Sequence, residues 1–430
     1  MEGVALAGRA RGCGTGILCV YAGIKRDMVR QILSRRAALR SGGAVGVASL
    51  AGCLGGGGTV TIGMCNSQTG SLDTFGDRNQ RGKQLAVEDV NATGLRGGDL
   101  EIIEEDTQSD SGPGVSAAQK LVNQDEVPLI VGAVSSSVSL AIYDSVVSGS
   151  EVDQISQNST SPDLSQFPDL MRMSPPGRAQ ASAIADLVSQ DGHGSVAVSF
   201  VNNAYGKGVS NVFREFYDGE VAYFEAHARE KSSYSNVVTA MGDSGADAWV
   251  FVTYQPEFTT IGKEAFDQGY SPPLYGADSV KGPDVVEGVP GEFLEGMKVV
   301  VPSAALTQDN YQTFASRFDE EFDKDPTSWA TYAYDAIVTA ALALEAADEA
   351  SAAAIPADLI RDVTRPEGQT VFSYEAAHDV LADGGGPTDV DYQGISGPID
   401  LDENGDPRAF LQVFRVADGA YEAAGTIKGE

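Results

Sequence analysis

Three consecutive hydroxyls, Ser135-Ser136-Ser137, follow the apolar run "PLIVGAV" and precede a helical stretch. At such a junction the first helical turn leaves backbone N–H groups unpaired, and with a hydroxyl beside them they favour an anion. The same serines can serve simply as a helix cap, a common use of this residue. Other chemistry is sparse. His193, His227 and His378 lie far apart without metal-ligand spacing, and no H-E-x-x-H, G-x-S-x-G or phosphate-loop pattern occurs. Asp400, Asp402, Asn404 and Asp406 are spaced like the start of a calcium loop, but Leu411 occupies the twelfth position, where an EF-hand needs glutamate. Asn404-Gly405 reads better as the turn of a hairpin within "GPIDLDENGDPRAFLQVFRV". The pattern points to binding rather than catalysis, and no enzymatic activity, metal or cofactor is expected.

The elements that must position these residues alternate along the chain. "VTIGM" (60–64), "LEIIEED", "PLIVGAV", "SVAVSFV" (195–201), "ADAWVFVT" (246–253) and "MKVVVP" (297–302) read as strands. Helical stretches separate them, among them "GKQLAVEDVNA" (82–92) and "VSAAQKLVNQ". Over 178–191, Ala181, Ile184, Leu187 and Val188 share one helical face; over 331–346, Ala333, Ile337, Ala341 and Leu344 do. Apolar strands alternating with amphipathic helices predict parallel sheets covered on both faces. Two such units, roughly 60–175 and 178–302, fit the length.

The N-terminal region follows a different logic. Residues 1–52 hold eight of the 29 Lys and Arg but only two of the 61 acids. Arg35-Arg36 resembles a twin-arginine export signal, and the uncharged stretch 41–52, about 12 residues, is shorter than the roughly 20 needed to span a bilayer. Leu50-Ala51-Gly52-Cys53 resembles a lipobox, which makes Cys53 a lipidation site, and the glycines at 55–58 read as a tether. Residues 1–27 are an unusual extension for such a signal, and Met28-Val29-Arg30 reads as the conventional start. Cys13 and Cys19 would then be lost, and Cys65 would remain as the one thiol besides Cys53, with no internal disulfide. Beyond residue 52 the chain carries 21 bases (29 less eight) and 59 acids (61 less two), a net charge of -38. Such a charge repels nucleic acid and anionic membranes. Only nine of those bases are lysines, and the acids are spread along the whole chain. This composition matches a halophilic archaeon.

One series of motifs carries a family resemblance. "IGMCNSQTGSLDTFGDRNQRGKQLAVEDVNATG", "VGAVSSSVSLA", "ISQNSTSPDL", "NNAYGKGV", "FVTYQPEF", "YGADS", "EGMKVVVP" and "YAYDAIVTAALALEAA" resemble, in order, the branched-chain amino-acid-binding proteins, the solute receptors of ABC importers. The resemblance covers essentially all of 60–430. It implies an α/β fold of two doubly wound parallel-sheet lobes joined by three crossings, near 173–177, 302–304 and 406–408, with the ligand in the cleft between them. Lobe 1 would comprise 60–177 plus 303–406 and lobe 2 178–302 plus 407–430, after a leader over 1–52 and the lipidated Cys and tether over 53–59.

The resemblance also implies site roles. Ser136, with Ser135, Ser159 and Thr160, would meet a ligand carboxylate; Asp278 would meet its ammonium; Phe75, Tyr205 and Tyr254 would wall the pocket. Phe75 lacks the hydroxyl of the usual tyrosine, and Gln68 stands where the family often has an apolar or small residue. The ligand's side chain is therefore left open, and receptors for amides, urea and aromatic acids belong to the same family. The expected partners are the small-molecule ligand, the permease subunits of an ABC importer and, through the anchor, the outer face of the cell membrane. A ligand-sensing regulatory module of the same fold is the alternative, against which the lipobox argues.

Overall fold

The computed structural model describes residues 58–428. The leader with Arg35 and Arg36, the lipobox with Cys53, and Met28 lie outside these residues. Strands are numbered β1 Val60–Asn66, β2 Leu100–Asp106, β3 Leu129–Gly132, β4 Asp153–Ser156, β5 Leu170–Arg172, β6 Ser195–Val201, β7 Glu220–His227, β8 Ala248–Val252, β9 Leu274–Gly276, β10 Lys298–Pro302, β11 Gln369–Val371, β12 Val390–Tyr392, β13 Phe410–Ala417 and β14 Ala420–Lys428. A five-stranded sheet runs in the order β2-β1-β3-β4-β5, all parallel. A seven-stranded sheet runs β14-β13-β10-β9-β8-β6-β7, parallel except that β13 is antiparallel to both its neighbours, β10 and β14.

Alternation along the central strands explains the layering. In β3, Leu129 and Val131 join one core while Ile130 joins the core on the opposite face. In β8, Ala248, Val250 and Val252 face one way, and Trp249 and Phe251 the other. A strand buried on both faces needs helices on both sides, and the period of two supplies apolar side chains to each. The helix Ser328–Ala346 is apolar nearly all round because it is buried from Trp329 to Leu344. It packs along the helix Asp73–Thr93 in the lobe built on β1–β5. Their contact is close at Gly82, where a Cβ would come within 2.0 Å of the Ala330 carbonyl oxygen. Any larger residue there would push these helices apart.

The structure corrects the hairpin reading. Residues 402–405 do form a turn, closed by Gly405 N–H donating to the Asp402 carbonyl at 3.0 Å, but no strands flank it. The hairpin joins β13 to β14 instead and turns at Asp418-Gly419, with φ of 49° and 78°. Two successive positive φ values mark the turn type whose twist matches antiparallel strands. The acids of the former segment serve separate ends. Asp402 accepts from the backbone N–H groups of Asn404 and Asp406, Asp400 pairs with Arg408, and Asp406 pairs with Arg172. Among the described residues no helix is long and apolar enough to cross a membrane. Cys65 is buried, and desolvation, with Glu105 adding to it, pushes its thiol up to about 12, so it acts as a small apolar core residue.

Candidate functional site

Within each sheet, the chain leaves the carboxyl ends of the parallel strands on one edge, where open α/β sheets place their ligands. A cleft open to solvent lies where these edges face each other. Its walls are the segments that follow the strands: Leu72 and Phe75 after β1, Val134 and Ser136 after β3, Asn158 and Thr160 after β4, Tyr205 after β6, Tyr254 after β8, and Asp278 with Ser279 after β9. Trp329, at the start of the helix Ser328–Ala346, is the exception.

Six of the eight residues expected from sequence meet in this cleft: Phe75, Ser136, Thr160, Tyr205, Tyr254 and Asp278. Ser135 and Ser159 are buried beside it but do not line it. Ser159 turns inward, where its hydroxyl pairs with Ser139 Oγ at 2.8 Å. Gln68 is exposed and also lies outside the lining, so its identity does not shape the pocket. Leu72, Val134, Asn158, Ser279 and Trp329 were not anticipated.

Ser136 opens the helix Ser136–Ser145, and its Oγ accepts the Ser161 N–H at 3.1 Å. With one lone pair so used, the hydroxyl proton is free to be donated elsewhere. Unpaired N–H groups of the first helical turn stand beside it, so this wall is suited to an anion. The opposite wall is anionic. Asp278 is 3% exposed, and its Oδ1 accepts from Gln180 Nε2 at 2.7 Å and Tyr205 Oη at 3.1 Å, while Oδ2 accepts from Ser279 Oγ at 3.2 Å. Burial pushes the carboxyl above its ordinary range, and these three donors oppose the shift without reversing it. No cationic side chain is among its supports. A buried carboxylate with neutral donors alone is incompletely compensated.

Aromatic rings complete the walls. Tyr205 and Tyr254 stack at 5.6 Å on one side, and Phe75 meets Trp329 edge-on at 5.7 Å on the other. Apolar faces between two opposite polar walls fit a small molecule carrying both charges and a hydrophobic body.

The two sheets are also bridged across the cleft. Ala204 N–H donates to Ser137 Oγ at 2.9 Å, and Ser161 Oγ donates to the Ala204 carbonyl at 3.1 Å. Farther along, Arg229 follows β7, reaches across to the Ser109 carbonyl at 3.1 Å and to Ser71 Oγ, and covers the Tyr254 ring at 5.7 Å. Of these groups only the Tyr254 ring lines the cleft; Arg229 itself does not. Arg229→Ala should therefore weaken ligand binding by about 5- to 30-fold, the net worth of one or two hydrogen bonds. Stopped-flow measurement should place most of that loss in faster release. Unaltered release would mean that Arg229 does not hold the cleft shut.

The comparisons with known proteins agree with this geometry. The family model described as "Periplasmic binding protein" matches residues 59–377. The Leu/Ile/Val-binding protein homolog 3 of Brucella melitensis is 29% identical over 229 residues, which are 51% of this chain and 61% of that relative. The leucine-specific-binding protein of Salmonella typhimurium is 24% identical over 382 residues, 85% of this chain and 93% of the relative. Among solved structures, a leucine binding protein from Thermotoga maritima superimposes with a TM-score of 0.74 at 24% identity, covering 86% of this chain and 99% of that one. A solute binding protein from Rhodopseudomonas palustris, in complex with 3,4-dihydroxy benzoic acid, does so with a TM-score of 0.69 at 18% identity, covering 86% and 98%. The structural likenesses show the two-lobed α/β fold that the motif series implies. With its family model spanning most of the chain, the protein belongs to the periplasmic binding protein family.

Proposed function

We propose that the protein is the extracellular solute receptor of an ABC importer and that it binds a free amino acid, of the branched-chain class or close to it, between its two lobes. The observation that carries this reading is the pairing of Asp278, buried without a cation, with the helix terminus at Ser136 across an aromatic-walled cleft. A zwitterion meets both walls at once: its ammonium compensates Asp278, and its carboxylate takes the hydroxyls of Ser136 and Thr160. Ser135 and Ser159 support that wall from behind. The names of the relatives, leucine- and Leu/Ile/Val-binding proteins, favour the same ligand class.

Anchoring is part of the proposal. Cys53 in its lipobox would carry the lipid after export through the Arg35-Arg36 signal, and the acidic surplus would keep the surface hydrated in a high-salt setting. A second reading, an aromatic acid, is favoured by the four rings around the cleft and by the Rhodopseudomonas palustris neighbour. It leaves Asp278 without a counter-charge, and for that reason it ranks below the amino acid.

Calorimetric titration of the full chain in molar salt with leucine, isoleucine, valine, benzoate and a short amide tests the reading. Saturable binding of an amino acid is expected. Binding of benzoate with no amino acid bound would sink the zwitterion assignment.

A further inference from the structure

Asn158 lines the cleft, and a chain of hydrogen-bonded amides fixes which way its own amide faces. The chain starts at Glu104. Burial works against the Glu104 carboxylate, but Lys83, Asn66 and Gln80 outweigh it and hold it below its ordinary range. A carboxylate in that state can only accept, so the Asn66 Nδ2 that approaches Glu104 Oε1 at 3.0 Å must be the donor. Asn66 Nδ2 also donates to the Gly76 carbonyl at 3.1 Å, which leaves Asn66 Oδ1 to accept from Asn79 Nδ2 at 3.1 Å. The second hydrogen of Asn79 Nδ2 goes to Asn158 Oδ1 at 2.7 Å. Each amide orientation follows from the one before it. At the cleft end, Asn158 is left with its Nδ2 as the free group. That nitrogen is buried and has no acceptor among the described residues. An unsatisfied buried donor is costly; Asn79 Oδ1 is likewise unpaired, but of the two residues only Asn158 lines the cleft, so the partner of its nitrogen is to be sought there.

Its position says which part of a ligand it meets. Asn79, which holds Asn158, lies one turn beyond Phe75 on the same helix and face. Asn158 is thus tied to the side of the cleft formed by Leu72, Phe75 and Trp329, the side left for the ligand's own side chain once Ser136, Thr160 and Asp278 have taken the zwitterion. A second carboxylate entering there would share the cavity with Asp278, and no cation is among the lining residues; Arg78, which covers the Phe75 ring at 5.0 Å, is not one of them. We propose that the cleft selects an amino acid whose side chain carries an uncharged hydrogen-bond acceptor, a hydroxyl or amide oxygen, and that Asn158 Nδ2 donates to it. This inference rests on the amino-acid reading given above.

L-Threonine and L-valine differ by a hydroxyl in place of a methyl at nearly constant shape, so they isolate the contact. Calorimetry of the full chain in molar salt should give threonine at least about tenfold the affinity of valine, the effect of satisfying or stranding one buried donor. In Asn158→Ala, threonine should fall to the level of valine, while valine binds as before or more tightly. Equal affinities in the parent protein would overturn the proposal and leave the Asn158 donor to a buried water. An equal loss for both ligands in Asn158→Ala would also overturn it, since Asn158 would then be holding the α-carboxylate. The parent comparison needs no variant, so a poorly folded Asn158→Ala does not shelter the idea. If neither valine, threonine nor leucine binds, the amino-acid reading itself fails and takes this inference with it, an outcome distinct from equal binding.

Discussion

Asp278→Ala is expected to lower amino-acid affinity by about 30-fold to several thousand-fold, the equivalent of about 2–5 kcal/mol for a buried charge that loses its partner. The variant removes the one anion in the cleft wall and strands the ligand ammonium among Tyr205, Tyr254 and Ser279. Asp278→Asn should fall between parent and alanine variant, because the amide oxygen still accepts a hydrogen bond but offers no charge. Ser136→Ala should cost less than either, since the backbone N–H donors of its helix remain. Should both Asp278 variants bind leucine like the parent, the carboxylate does not face the ligand.

The same carboxylate sets a pH dependence. In the unliganded protein burial raises the Asp278 carboxyl above its unfolded value, so the folded state holds that proton more firmly. Its contribution to stability is therefore present at low pH and lost as pH rises through the folded value. An ammonium reverses the preference by favouring the ionised form. Binding at low pH must then expel a proton, and affinity should fall as pH drops from neutral toward the raised carboxyl value. Calorimetry in buffers of different ionisation enthalpy would register that proton. In Asp278→Asn the pH dependence should vanish.

How much of this could be read from sequence differs from element to element. The strands "PLIVGAV" and "ADAWVFVT" announce themselves because both of their faces are apolar, and the residues just beyond such strands are where open sheets bind ligands. Ser136, Thr160, Tyr205, Tyr254 and Asp278 all sit there, but it was the family resemblance of the motif series, not their position alone, that singled them out. Trp329 was not singled out, because it enters from a helix that crosses back to the first sheet. Asn158 is flanked by the anticipated hydroxyls, yet its role depends on Asn79 and Asn66, whose approach is long-range and leaves no local pattern. The hairpin shows a rule applied at the wrong place. Asn404-Gly405 and Asp418-Gly419 are both turn dipeptides, but only the second has a continuous strand on each side, "FLQVFRVA" and "AYEAAGTIK". Ser159 was misplaced because a hydroxyl's direction depends on χ1, and here a partner at Ser139 fixes it inward.

Asp406→Ala should destabilise the fold by about 3–5 kcal/mol, the usual result of removing one member of a buried ion pair, and lower the melting temperature by about 5–15 °C. Arg172, at the end of β5, is fully buried, and its Nε donates to Asp406 Oδ1 at 2.6 Å. Its Nη1 donates to the Ser161 carbonyl at 2.8 Å, and its Nη2 meets Ser165 Oγ at 2.6 Å, which in turn donates to Asp406 Oδ2 at 2.6 Å. The pair thus fastens the segment that leads into β13 to the end of β5, and both to the loop that carries Thr160 into the cleft. Removing Asp406 leaves a buried guanidinium without its anion. Removing both charges with apolar residues of similar volume, as in Arg172→Met with Asp406→Leu, should recover much of the loss, because the desolvation cost disappears with the ions. Ligand binding separates the two roles. If the pair positions Thr160, the double variant should regain stability yet bind the amino acid less tightly than the parent, since the bond from Arg172 to the Ser161 carbonyl is gone. Full recovery of both would reduce the pair to a fastening between chain segments, and recovery of neither would mean that the apolar replacements fail to fill its space.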